Sequence, residues 1–292
     1  MTTHCPTCRD LLPPSNVYEG KPGLSPRFSG AVKLKPERLA DVATFPPGAR
    51  VFVTSMSDLF YGDEADELAA IRSGRAFKPV PDEYIDRVVD AIASRPDVVF
   101  ITLSKRSTRQ RDYFQRRPPP PNLWVGVSVE NESTEHRLVD LALTPAAVRV
   151  VSVEPLLERV SLSFANASPI AKGLRYDALR GRVVYGDDLD TEQALNTLEH
   201  GPLGWVIVGG ESGRNARPCD VANVLAVVRD CRAAGVPVFV KQLGAEPFDS
   251  RPGEHAGPIT LDDAKGGDLD EWPAHLDELR VREFPSAALS AG

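Results

Sequence analysis

The stretch "VRVVSVEP" (148–155) decides how the chain folds. Val148, Val150, Val151 and Val153 crowd into one short run that stops at Glu154. Valine at successive rather than alternate positions suits a strand buried on both faces, the habit of parallel sheets. The same form recurs on both sides of it: "ARVFVTSMSD" (49–58), "DVVFITLSKR" (97–106), "NLWVGVSVEN" (122–131), "GWVIVGGESG" (204–213) and "VPVFVKQLG" (236–244).

Helical patterns separate several of these runs. "PDEYIDRVVDAIAS" (81–94) sets Ile85, Val88, Val89 and Ile92 on one stripe, with Pro81 suited to the first turn. "STEHRLVDLAL" (133–143) can start at Ser133 as a cap. "DVANVLAVVRDCRAAG" (220–235) starts at Asp220, turns Val224, Leu225, Val228 and Cys231 inward and stops at Gly235. Strand, helix and strand at this spacing predict βαβ units.

Every run ends in polar residues: Ser55, Ser57 and Asp58; Lys105 and Arg106; Glu130 and Asn131; Glu154; Glu211 and Ser212; Lys241 and Gln242. In a parallel barrel all these ends meet at one mouth, where sites form. An open doubly wound sheet needs polar tips at fewer strands. The expectation is a partial or complete parallel (β/α) barrel of the TIM type. It spans 1–246, with a polar insertion at about 158–203 and an irregular C-terminal tail over 247–292. Within the insertion, "TEQALNTLEHG" (191–201) reads as a helix. A surface helix is expected in 62–79, loop up to Gly30, a short extended piece in "GAVKLKPERL", and an edge strand or docked terminus in "LRVREFP" (279–285).

The 292 residues are 42% hydrophobic and 26% charged, an ordinary globular composition. No apolar run approaches a membrane span and no signal peptide opens the chain, so a cytoplasmic location without a membrane partner is expected. Reduced thiols then make the four cysteines ligands or core filler before disulfides. Cys5 and Cys8 have the CxxC spacing of thiolate ligands for zinc or iron. Cys231 falls on an apolar helix stripe and reads as core; Cys219 reads as a loop thiol. "VGGESG" (208–213) lacks the lysine of a phosphate loop and reads first as a tight turn that permits close backbone approach. The arginines of "SKRSTRQRDYFQRRPPPP" (104–121) suit either phosphates or a solvated helix face, and the net charge of −7 tempers the first.

In order along the chain, "VFVTSMSDLFYGD", "ITLSKRSTRQRDYFQR", "NLWVGVSVEN", "RVVSVEPLLERV", "WVIVGGESGRNARP", "GVPVFVKQLG" and "LRVREFP" resemble the phage-associated three-Cys-motif proteins, a largely uncharacterised group similar to radical SAM enzymes. The resemblance implies a barrel in which three cysteines hold a [4Fe–4S] cluster that chelates S-adenosylmethionine. Cys5 and Cys8 match the second and third of those cysteines, and Arg9 replaces the aromatic that follows. The first cysteine and first strand are expected upstream of Met1. The competing expectations are a decayed barrel without a cluster, or a ligand supplied by another residue or by a partner. The implied site comprises Lys105, Glu130, Glu154 and Lys241 as catalytic groups. Ser55, Asp58, Gly209, Gly210, Glu211 and Ser212 are the cofactor-binding set, with Cys5 and Cys8 on the metal. The substrate is unknown. Likeness to the spore photoproduct lyase branch makes nucleic acid a candidate, and a three-Cys-motif partner protein is a candidate partner. The alternative function is a metal-binding or protein-interaction module; a hydrolase using the Glu and Lys residues is a third.

Overall fold

The computed structural model describes residues 15–19, 27–53, 57–75, 77–163, 165–166, 174–185, 194–197 and 201–286, and for 15–19, 27–31, 165–166, 174, 184–185 and 194–197 it describes the backbone. The chain divides into two compact units. One comprises 1–126 with 144–147 and 289–292; the other comprises 127–143 with 148–288.

In the first unit, β1 (Ser15–Glu19) and β2 (Arg27–Lys33) form an antiparallel hairpin. Loop was expected here up to Gly30. Cross-strand pairing supplies the ladder that the weak local pattern does not advertise. A 3-10 segment, Pro36–Thr44, leads to β3 (Arg50–Phe52). Helix α1 (Glu64–Arg72) is the expected surface helix, and Asp63 caps it by accepting from the Asp66 N–H at 2.8 Å. Helix α2 (Asp82–Ala93) buries Ile85, Val88, Val89 and Ile92, with Pro81 just before its first turn. Strand β4 (Val99–Ser104) follows, then α3 (Ser107–Arg116) and β5 (Leu123–Ser128), whose last two residues belong to the second unit.

In the second unit, α4 (His136–Ala142) is shorter than expected. Ser133 does not cap it. A 3-10 turn, Glu132–Thr134, comes first, and Asn131 and Thr134 cap that turn reciprocally. Strand β6 (Arg149–Val153) is the opening run. The insertion holds a four-stranded antiparallel sheet of β7 (Ala165–Asn166), β8 (Leu174–Asp177), β9 (Arg182–Tyr185) and β10 (Ala194–Thr197). Ala194–Thr197 is thus strand where a helix was expected: β9 offers an edge, and pairing with it overrides a modest helix propensity. Next come β11 (Trp205–Gly209), β12 (Cys219–Asp220), α5 (Val221–Ala234), β13 (Val238–Gln242), β14 (Pro247–Asp249) and β15 (Gly257–Pro258). Helix α5 follows its sequence closely. Asp220 accepts from the Ala222 N–H at 3.0 Å, and Gly235 ends the helix at φ +69°, a left-handed conformation that costs glycine little. "LRVREFP" lies along β13, with the Val240 N–H on the Val281 carbonyl and an antiparallel bridge between Phe239 and Arg282.

The six valine-rich runs form a parallel sheet in the order β13-β11-β6-β5-β4-β3, so the fold is mixed α/β. Strand residues 150, 151, 206, 208, 238 and 240 have no exposed surface, which is why these strands lack polar–apolar alternation. Among the described residues no helix is long and apolar enough to cross a membrane.

Candidate functional site at the strand ends

In the first unit the ends of β3 and β4 are occupied by the protein's own contacts. Asp58 Oδ1 accepts from the Phe60 N–H at 2.9 Å and the Ser104 hydroxyl at 2.8 Å. Its Oδ2 accepts from the Lys105 N–H at 2.8 Å and the Arg106 guanidinium at 3.3 Å. Arg106 also grips Asp66 with Nε and Nη2 and lies over the Tyr61 ring. These carboxylates hold the guanidinium above its ordinary pKa despite its burial. Asp58, expected to bind a cofactor, ties the β3–α1 turn to the end of β4 through these bonds. The Lys105 side chain is exposed beside it. Ser55 lies outside the described residues.

The arginines of 106–117 are committed in the same way. Asp82, Asp86 and Asp90 recur at four-residue spacing on α2, which puts them on one face. Arg109 pairs with Asp82 at 2.9 Å, Arg116 with Asp82 at 3.0 Å, and Arg117 with Asp86 and Asp90 at 2.5 Å each. Tyr113 donates to Asp86 at 2.6 Å; that bond, followed by Arg117, holds the Asp86 carboxyl below its ordinary value.

The second unit brings four sequence-predicted tips together on neighbouring strands. After β6 the chain turns through Glu154 and the cis peptide to Pro155. The Leu156 N–H then bonds the Gly209 carbonyl at 2.9 Å, and the Leu157 N–H bonds the Glu130 carbonyl at 3.1 Å. These two bonds seat the 154–157 turn across the ends of β5 and β11. Glu154 stands between them, 16% exposed, with Lys241 Nζ at 3.2 Å and the Ser152 hydroxyl at 3.3 Å. Lys241 is half exposed at the end of β13. Glu130 is buried, and Arg137 of α4 bonds it at 2.9 Å. Glu211 takes both arms of Arg217, at 2.7 and 3.0 Å, and its backbone N–H at 2.9 Å, which keeps this carboxyl below its ordinary value.

Gly209 and Gly210 owe their identity to packing. A Cβ on Gly210 would lie 2.2 Å from the Leu243 carbonyl oxygen, and one on Gly209 would lie 3.0 Å from Glu154 Oε1 and 2.9 Å from the Gln242 carbonyl oxygen. Bare backbone at the tip of β11 therefore lets β13 and Glu154 close in. Gln242 fixes this turn by donating to the Gly210 carbonyl at 3.0 Å. Ser212 is exposed. Arg137, Arg217 and Ser152 belong to the cluster although the strand-tip rule did not select them. Arg137 and Arg217 stand on a helix and a loop, and only the folding back of those segments reveals their partners.

Cys5 and Cys8 lie outside the described residues. Cys219 and Cys231 are both buried, Cys219 in β12 rather than in a loop, and burial pushes the Cys219 thiol up to about 12 and that of Cys231 further. Both are free thiols closed inside the core. Among the described residues no group of three or more His, Cys, Asp or Glu is placed to hold a metal ion.

The family model described as "Protein of unknown function (DUF5131)" matches residues 13–266. No curated protein and no solved structure matches the chain. The chain belongs to the DUF5131 family.

Proposed function

We propose that this DUF5131 protein is a radical-SAM-like enzyme on a partial parallel barrel, and that the strand tips of the second unit receive the amino-acid end of S-adenosylmethionine. The observation that carries this reading is the loose pair of Glu154 and Lys241, 3.2 Å apart, with the lysine half exposed. A ligand bearing an ammonium and a carboxylate complements both members. Its ammonium replaces Lys241 on Glu154, and its carboxylate takes the freed lysine, so each charge keeps a partner. Glu130 and Glu211 are already satisfied by Arg137 and Arg217, which leaves Glu154 as the carboxylate open to exchange. Ser152 orients it.

The iron–sulfur part of the proposal rests on Cys5 and Cys8, since Cys219 and Cys231 are closed inside the core. When bound, a cluster would supply the electron for reductive cleavage of S-adenosylmethionine. The chain's own residues bind and orient the ligand. Nucleic acid stays a candidate substrate on the resemblance alone, because the arginines of α3 are paired within the chain.

The test is anaerobic reconstitution with iron and sulfide, read by visible absorption, together with equilibrium dialysis of S-adenosylmethionine. The expected result, on the chain extended upstream to supply the third thiolate, is a brown protein with about four irons that loses colour when Cys5 and Cys8 become alanine. Glu154→Gln and Lys241→Ala should each weaken S-adenosylmethionine binding about tenfold while leaving the colour. A colourless protein that binds no S-adenosylmethionine overturns the proposal in favour of a binding or interaction module.

A further inference from the structure

Strand β14 and β15 pair antiparallel, Phe248 with Pro258 and Asp249 with Gly257, and the exposed loop 250–256 joins them. On its other edge β14 pairs with β12 at the head of α5. The loop is tied down by an unusual contact. The His255 ring stacks face to face on the His275 ring, with centroids 4.1 Å apart and planes at 9°. His275 belongs to the 3-10 segment Ala274–Leu279. Its Nε2 is buried without a hydrogen-bond partner, 3.8 Å from the carboxylate of Asp249.

That carboxylate is already taken. Arg251 grips Asp249 with Nε at 2.8 Å and Nη2 at 2.5 Å and donates its backbone N–H at 3.0 Å. The other charges nearby are arranged in pairs. Asp220 at the head of α5 and Arg229 on it face Arg251, and Glu278 on the same 3-10 segment as His275 takes Arg229 at 2.8 Å and Arg232 at 3.8 Å. The carboxylate that faces His275, Asp249, is shared with Arg251, so its pull on a proton there is smaller than the opposing effects of burial and the neighbouring ring.

We propose that His255 and His275 form a proton-operated latch: neutral, the stacked rings hold loop 250–256 and the β14–β15 hairpin against segment 274–279, and protonation releases them. Two cations 4.1 Å apart repel, so protons on both rings oppose the stack. Burial, and then the neighbouring His255, hold His275 below the ordinary 6.5. The sign follows. The latch is closed above 6.5, and its contribution is lost as the pH falls from there through the lower folded value. Release loosens β14, whose preceding residues hold the strand-tip loop through the Ala245 N–H on Glu211 and the Cys219 N–H on Glu246. The latch stands independently of the proposed ligand.

The experiment follows amide hydrogen exchange of residues 247–259 in the full chain from about pH 7.5 to about pH 5, corrected for intrinsic rates, in the wild type and in His255→Phe. A phenyl ring keeps a stacking face and takes no proton. Protection in the wild type should fall at least about tenfold, and the fall should vanish in the variant. Protection that is flat in the wild type, or that falls equally in both, overturns the latch. Should His255→Phe fail to fold, imidazole NMR titration of the wild type decides. A His275 ring that titrates below 6.5 supports the proposal, and one that titrates at the ordinary value overturns it.

Discussion

Two regions of this protein are built from the same side chains and use them in opposite ways. In the first unit, the carboxylate after β3 is saturated and those along α2 are paired with arginines: Asp58 accepts from two backbone N–H groups, a hydroxyl and a guanidinium. In the second unit, Glu154 at the end of β6 meets one flexible, half-exposed lysine and one hydroxyl at 3.3 Å. A carboxylate with four short donors is structure. One with a replaceable cation is a place where a ligand can enter without stranding a charge.

The largest expected effect probes the saturated side. Asp58→Ala leaves Ser104, two backbone N–H groups and Arg106 with unmet bonds, and should cost about 3 kcal/mol or more in denaturant unfolding. A loss below about 1 kcal/mol would erase the contrast between the regions. Gly210→Ala comes next. Its Cβ would lie 2.2 Å from the Leu243 carbonyl oxygen, and the backbone shift should cost about 1–3 kcal/mol. Its stability loss should accompany weakened ligand binding, since the same turn seats both. On the exchangeable side, Glu154→Gln should change stability by no more than about 1 kcal/mol, because Lys241 is half exposed and readily solvated. A larger loss would place Glu154 among the structural carboxylates.

The smallest effect concerns acid. Tyr113 and Arg117 hold Asp86 below its ordinary 3.8, so its contribution is complete above that value and is lost as the pH falls through the lower folded one. Unfolding measured against pH should therefore show a shallower acid limb in Asp86→Asn than in the wild type.

Much of this arrangement can be read before folding. The valine-rich runs, the stripe of α2 and the two caps of α5 are local patterns, and each appears where its chemistry puts it. The polar tips were legible too, because a strand leaving the core must change character at its end. The β1–β2 hairpin, the strand at 194–197 and the Asn131–Thr134 cap were not, since each depends on a partner rather than on a local preference. The glycine pair at 209–210 reads equally well as a ligand cradle or a tight approach, and only the Leu243 carbonyl distinguishes them.

By itself, then, the sequence determined the parallel sheet, the helices between its strands and the charged residues at its tips. Hydrophobic periodicity and capping act over a few residues, so a linear reading captures them. Only the tertiary structure decided which charges are spent and which remain available. Arg106 and Arg117 look as free in the sequence as Lys241 does. Their partners lie 40 and 27–31 residues away, and the distance that makes a salt bridge is set by packing, not by spacing.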